Sequence, residues 1–317
     1  MRKTAAVSAF IFLVISCFAP ALHAVAQEFN VAVSPVKFEL TMEPGTSREF
    51  EIYVENRGTA DQRLALHFMD FYVKPEGTCV FEEPGHYPYS CAKWLSVDVP
   101  EFTVPAGQRV VSRFTATAPP DAEPGGHFGA VLFRQVPETT DATSHRGTDV
   151  IQIASLALIT IPGEILREGE ITSVSVESKW FWPTKELLRL PVSPPKYRVA
   201  FKNTGNVHLT IRGKLTYTPS FGWGHGTVEL KEMTVLPDSE RYYQGVIPDP
   251  PLLGSYSVKV DIRYGPSLLE LDTTRTGTAG FSTCPTSLLL IFLVPLAVLF
   301  VLFKLVGRRR KKSKGEK

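Results

Sequence analysis

The chain of 317 residues is 44% hydrophobic and 21% charged, which excludes a disordered polymer, and its 23 glycines and 25 prolines are those of a folded protein rich in turns. With four methionines and few runs of helical period it reads as short strands joined by tight turns, which sets aside a large α/β enzyme. The net charge of +2 conceals an asymmetry. Ten bases (Arg2, Lys3, Lys304, Arg308, Arg309, Arg310, Lys311, Lys312, Lys314 and Lys317) lie at the two ends, and without them and Glu316 the body holds 24 bases and 31 acids. That negative body makes nucleic acid a poor partner.

At the N-terminus, Arg2 and Lys3 precede an apolar run from Ala5 to Phe18, and Ala24-Val25-Ala26 supplies the small residues of a cleavage site. Residues 1–26 are expected to be a signal peptide, with the mature chain starting at Gln27. A competing reading takes Val14-Ile15-Ser16-Cys17 as a lipoprotein box with Cys17 lipidated. At the other end, Leu288 to Val306 is an apolar run close to the ~20 residues that a helix needs to cross a bilayer. Residues 288–306 are therefore expected to be a transmembrane helix. The basic tail 307–317 would lie in the cytoplasm and the body outside, a single pass in a bacterial cytoplasmic membrane.

The body carries two matched series. Phe50, Ile52 and Val54 alternate into Val54-Glu55-Asn56-Arg57-Gly58, and Leu64, Leu66 and Phe68 alternate beyond it. Tyr197, Val199 and Phe201 likewise lead into Phe201-Lys202-Asn203-Thr204-Gly205, followed by Leu209, Ile211, Leu215 and Tyr217. Each series reads as a strand, an Asn-x-Gly turn and a return strand. Further along, Phe102-Thr103-Val104-Pro105 matches Met233-Thr234-Val235-Leu236-Pro237. The run from Pro119 to Phe128 matches that from Pro248 to Tyr256, each with a strand after it. The expected fold is all-β: two tandem immunoglobulin-like β-sandwiches, 28–166 and 167–281, followed by one transmembrane α-helix.

The first half is longer between its matched points, and the extra length falls around Cys79 to Cys91. On the expected outer side of a membrane these two cysteines are expected to form a disulfide that closes the short loop. His86 between them completes no familiar zinc pattern, and no metal or other cofactor is expected. Cys284 is left over, either cross-linking two chains or unpaired.

No His-Glu-x-x-His pair, Gly-x-Ser-x-Gly elbow, phosphate loop or Gly-x-Gly-x-x-Gly run occurs, and the histidines are scattered singly. No catalytic residue is assigned and the expectation is a protein that is not an enzyme. Aromatic clusters are the better candidates for ligand binding: Trp180 and Trp182 around Phe181, Trp223 in Phe221-Gly222-Trp223-Gly224-His225, and Tyr87 and Tyr89 in the cysteine loop. Trp180 and Trp182 also have the alternation of a strand packing on a core, so packing competes with binding.

The chain resembles the bacterial WxL-interacting protein family. The likeness is carried by Val33-Ser34-Pro35 with Phe38-Glu39-Leu40, by Glu43-Pro44-Gly45, by Trp94 with Phe102-Thr103-Val104-Pro105-Ala106-Gly107, and by Pro124-Gly125-Gly126. It continues through Ile161-Pro162-Gly163-Glu164 and Asn203-Thr204-Gly205-Asn206-Val207. The resemblance implies a signal peptide, two immunoglobulin-like domains, one helix and a basic tail, with peptidoglycan binding by the first domain and host-surface proteins met by the second. The first domain also looks like the chaperone-type sandwich of pilus assembly. The leading expectation is a membrane-anchored cell-surface binding or scaffold protein whose partner is a cell-wall polymer or a secreted surface protein. The alternative is an accessory chaperone for surface polymers that accepts a partner's strand on an exposed edge.

Overall fold

Alternation along each strand decides which side faces the core, and the two matched series become the inner faces of two β-sandwiches. The structure is a computed structural model that describes residues 29–136, 151–177, 194–222, 224–247, 254–283 and 292–304. The expected signal peptide, Cys17, Cys284, Trp180, Trp182, Trp223 and the basic tail lie outside the described residues.

The first sandwich is built from β1 (Val31–Ser34), β2 (Lys37–Thr41), β3 (Ser47–Asn56), β4 (Gln62–Val73), β5 (Cys79–Glu82), β6 (Leu95–Val97), β7 (Glu101–Val104), β8 (Arg109–Thr117), β9 (Gly125–Gln135) and β10 (Gln152–Ile161). One sheet has the order β1-β3-β8-β6. The other has β2-β10-β9-β4-β5, with β7 also on β4. Ile52, Val54, Leu64, Phe114, Val131 and Ile159 meet between them, each at most 1% exposed. The chain changes sheet between β1 and β2, around Pro35, and β2 then runs parallel to β10.

The second sandwich pairs the sheet β11 (Gly169–Glu177), β12 (Lys196–Asn203), β15 (Glu240–Val246) with the sheet β14 (Gly226–Val235), β13 (Leu209–Gly222), β16 (Gly254–Gly265), β17 (Thr273–Thr283). Val199, Phe201, Leu209, Ile211, Val235 and Val260 form its buried centre.

The two Asn-x-Gly turns differ from the hairpins expected. β3 and β4 lie in different sheets, and so do β12 and β13, so each turn carries the chain across its sandwich. The asparagine is the reason. Asn56 is fully buried; its Nδ2 donates to Ala60 O (2.8 Å) and Val104 O (3.0 Å), and its Oδ1 accepts from Gly58 N (2.9 Å). Asn203 repeats the pattern, donating to Val207 O (2.8 Å) and Val235 O (2.9 Å) and accepting from Gly205 N (2.9 Å). One short side chain thus ties the turn to itself and to a strand more than thirty residues away, satisfying main-chain groups that burial would otherwise orphan. The copies agree further: Asn56 N donates to Gln108 O and Asn203 N to Ser239 O. The match between Phe102–Pro105 and Met233–Pro237 is therefore the match between the two segments that the asparagines hold.

The expected membrane anchor is corrected. The described helix α1 spans residues 292–304, with an exposed apolar surface that includes Phe292 and Phe303. Among the described residues no helix is long and apolar enough to cross a membrane. The single-pass placement rested on that helix and falls with it.

Candidate functional site

The loop between β5 and β6 carries three of the residues singled out in the sequence. Cys79 and Cys91 are both free thiols, so the expected disulfide is corrected. Cys79 is exposed at the start of β5, in register with Val73 of β4. Cys91 is fully buried beside Gly129, and its N–H donates to Phe128 O (3.0 Å). Burial pushes the Cys91 thiol up, with the nearby Asp70 carboxylate adding to it. The closure expected of a disulfide is made instead by Asp70 on β4. Its Oδ2 accepts from Gly85 N (2.7 Å) and Tyr87 N (3.0 Å), and its Oδ1 accepts from the Ser90 hydroxyl. Three donors converging on one buried side chain hold the loop to β4.

The loop so held turns Tyr87 and Tyr89 toward the second sandwich. Their rings meet edge-on at 5.6 Å, and the Tyr89 hydroxyl donates to Asp238 Oδ2 at 2.5 Å. That hydrogen bond, joined by burial and the Asp238 charge, pushes the Tyr89 phenol up to about 12; burial does the same for Tyr87. Around them Phe71, Phe128, Ala130 and Leu158 of the first sandwich pack with Leu236 of the second. The pair of tyrosines is thereby built into the junction between the sandwiches.

Main-chain bonds reinforce that junction. Gly126 N donates to Asn206 O (2.8 Å) and Tyr242 N to Pro75 O (2.9 Å). The Asn206 side chain accepts from Leu166 N and donates to Glu164 O, both at 2.8 Å, which binds the connecting segment to the second turn. Gly205 is required here, since a Cβ would collide with Leu166 O and press on Glu168 N. Tyr89 and Asp238 are 149 residues apart, and no local pattern in the sequence announces their meeting.

The first sandwich also has an incompletely paired edge. β2 covers only Leu156–Thr160 of β10. Leu156 N donates to Val36 O (2.9 Å) on that side, whereas Ile151 O accepts from Gln135 N (3.1 Å) on the β9 side. The two-residue period of a strand then points the main-chain groups of Gln152 and Ala154 to the β2 side, where no described strand meets them. Pro35 ends the cover: it offers no N–H, and its carbonyl takes the Ser155 hydroxyl (2.7 Å) instead of a ladder bond. Exposed Val36 and Ile151 flank the gap at 67% and 45% exposure. The edge was missed in the sequence, although Pro35 ahead of a five-residue strand is a signal for it. Among the described residues no group of three or more His, Cys, Asp or Glu is placed to hold a metal.

Fold and edge together define a two-sandwich β protein with a partly open sheet edge in its first domain. No family model and no curated protein matches the chain. Among solved structures it is similar to the chaperone–tip adhesin complex of CFA/I fimbriae biogenesis, at 13% identity over 78% of this chain and 98% of that one, with a TM-score of 0.41. It is similar to the class 5 fimbriae chaperone CfaA at 14% identity, 78% and 98% coverage and a TM-score of 0.41. The CsuC–CsuE chaperone–tip adhesion subunit pre-assembly complex of Acinetobacter baumannii matches at 8% identity, 81% and 99% coverage and a TM-score of 0.40.

Proposed function

We propose that this chain is a binding protein that accepts an extended segment of a partner protein along the open edge of β10, the strand-addition reading of an assembly chaperone. One observation carries the reading: Gln152 and Ala154 present main-chain donors and acceptors to a side that β2 leaves uncovered. An unpaired edge is a template for another strand, and main-chain bonds supply affinity while side chains in alternate positions supply selectivity. Val36 and Ile151 offer apolar contact at either end of the gap. A protein segment suits this edge better than a cell-wall polymer, because a ladder needs regularly spaced amide groups. The tyrosines that could have stacked on sugar rings are engaged with Asp238 and the junction core. Kinship with WxL-interacting proteins is proposed on the motifs of the sequence, with a surface protein as the partner class.

The test is Ala154→Pro, which removes one edge N–H without touching the β9 ladder. The purified chain should capture a secreted protein of the same cell, and the variant should bind it about tenfold or more weakly while keeping its fold. Equal binding by the variant, or binding to purified cell wall alone, would overturn the proposal.

A further inference from the structure

The second sandwich has an open edge of its own. β15 pairs with β12 from Lys196 opposite Val246 to Lys202 opposite Glu240 with no break in register, and its other edge meets no described strand. A single main-chain rung reaches that edge from the first sandwich, Tyr242 N to Pro75 O (2.9 Å). On the β12 side, Asn203 N donates to Ser239 O (3.0 Å) and Ile247 N to Pro195 O (2.9 Å). The odd positions of β15 therefore face β12, and the two-residue period sends the main-chain groups of Gln244 and Val246 outward, beyond the Tyr242 rung. Edges are usually blunted. In the facing sheet, β14 loses register with β13 between Ile211 and Gly213, where the exposed Lys231 and Glu232 sit. β15 has no bulge and no proline, and its Val246 is 47% exposed.

The face beside this edge carries charge. Val199 and its partner Tyr243 point into the core, so the even positions of β12 and β15 share the outer face, with Arg198 opposite Gln244 and Lys196 opposite Val246. Arg198 leans over β15, its guanidinium 5.1 Å from the Tyr242 ring centroid, and among the described residues neither it nor Lys196 is in an ion pair. A hollow of about 380 Å³ opens between them, with Ser175 and Gln244 as neutral hydrogen-bonding groups and Glu177 on its β11 side. Glu240, the carboxylate of β15 itself, accepts from the Thr172 hydroxyl (2.5 Å). Glu76 acts on Tyr242 at the Pro75 rung, where the basic stretch ends.

We propose that the free edge of β15 is a second binding edge, for an extended segment of a partner protein that carries acidic side chains at alternate positions. A strand added there would lie about 4.8 Å from β15, and its residues opposite Gln244 and Val246 would set their side chains on the outer face, within reach of Arg198 and Lys196. Main-chain bonds to Gln244 and Val246 hold the segment, and the two cations select its sequence. The edge lies on a different sandwich from β10 and works whether or not that strand is used.

Amide exchange in the full chain tests it, with two synthetic peptides of about seven residues as probes, one alternating glutamate with valine and the other lysine with valine. At about 1 mM the glutamate peptide should slow exchange at Gln244 and Val246 while Tyr243 and Gly245, which face β12, stay unchanged; the lysine peptide should change none of them. Val246→Pro removes one outward N–H and should weaken the glutamate peptide about fivefold or more. Lys196→Gln together with Arg198→Gln should weaken it about three- to tenfold and bring the two peptides level. If Val246→Pro fails to fold, the glutamine pair still decides, because both replaced side chains are exposed. Protection confined to Gln152 and Ala154, or equal protection by both peptides, would overturn the proposal. So would protection of Gln244 and Val246 that grows with protein concentration and needs no peptide, which would make the occupant a second copy of the chain.

Discussion

Replacing Asn203 by alanine should cost the second sandwich much of its stability. Three contacts disappear together: Nδ2 to Val207 O at 2.8 Å, Nδ2 to Val235 O at 2.9 Å, and Gly205 N to Oδ1 at 2.9 Å. Asn203 and Val235 are fully buried and Val207 is 2% exposed, so the freed groups gain no ready access to water. A buried group left unsatisfied costs about 1–3 kcal/mol. Three of them, eased by water entering the vacated space, give about 3–5 kcal/mol, set against the 5–15 kcal/mol that typically holds a domain. Asn56→Ala should cost about 1 kcal/mol less, because its contact with Ala60 O is only part-buried and solvent can replace it. Urea titration read by amide exchange in β13 for Asn203→Ala, and in β4 for Asn56→Ala, assigns each loss to its own sandwich. A loss below about 1 kcal/mol at Asn203 would refute the view that this side chain holds the crossing turn.

Asp70→Ala should release the loop that carries Tyr87 and Tyr89 at a cost of about 3 kcal/mol, seen as new proteolytic cleavage between residues 83 and 90 in an otherwise folded chain. Cys79 should be alkylated in the native protein and Cys91 only after unfolding, with no reductant needed for either; peptide mapping that finds the two linked would contradict the free thiols. The junction should weaken in alkali. Tyr89 is held neutral up to about 12 in the folded protein, so its contribution is complete below about pH 10 and is lost as pH rises from there to about 12. Tyr89→Phe should reduce that dependence in the exchange of residues 236–242, leaving the part that Tyr87, also pushed up to about 12, contributes.

The strands were legible because the side-chain period of two survives in Phe50-Ile52-Val54 and Tyr197-Val199-Phe201, whose inward residues do reach the cores. The repeat was legible too, since the same asparagine does the same work twice. Its geometry was not: Asn-x-Gly reads as a hairpin until Val104 and Val235 are seen to receive the side-chain donors. The spacing of Cys79 and Cys91 suggested a covalent ring, whereas the loop is closed by Asp70, nine residues before the first cysteine and outside any local pattern. Residues 288–306 have the composition of a membrane span, whereas among the described residues no helix is long and apolar enough to cross a membrane. Of the aromatic candidates, Tyr87 and Tyr89 serve the junction through a partner no spacing rule connects to them.

The account stands most directly on the main-chain groups at the start of β10. In a complex of the full chain with a captured partner protein, the amides of Gln152 and Ala154 should exchange more slowly than in the free chain, while those of Ile153 and Ser155, which face β9, change little. Unchanged exchange at Gln152 and Ala154 in a saturated complex would show that the partner binds elsewhere and would contradict strand addition.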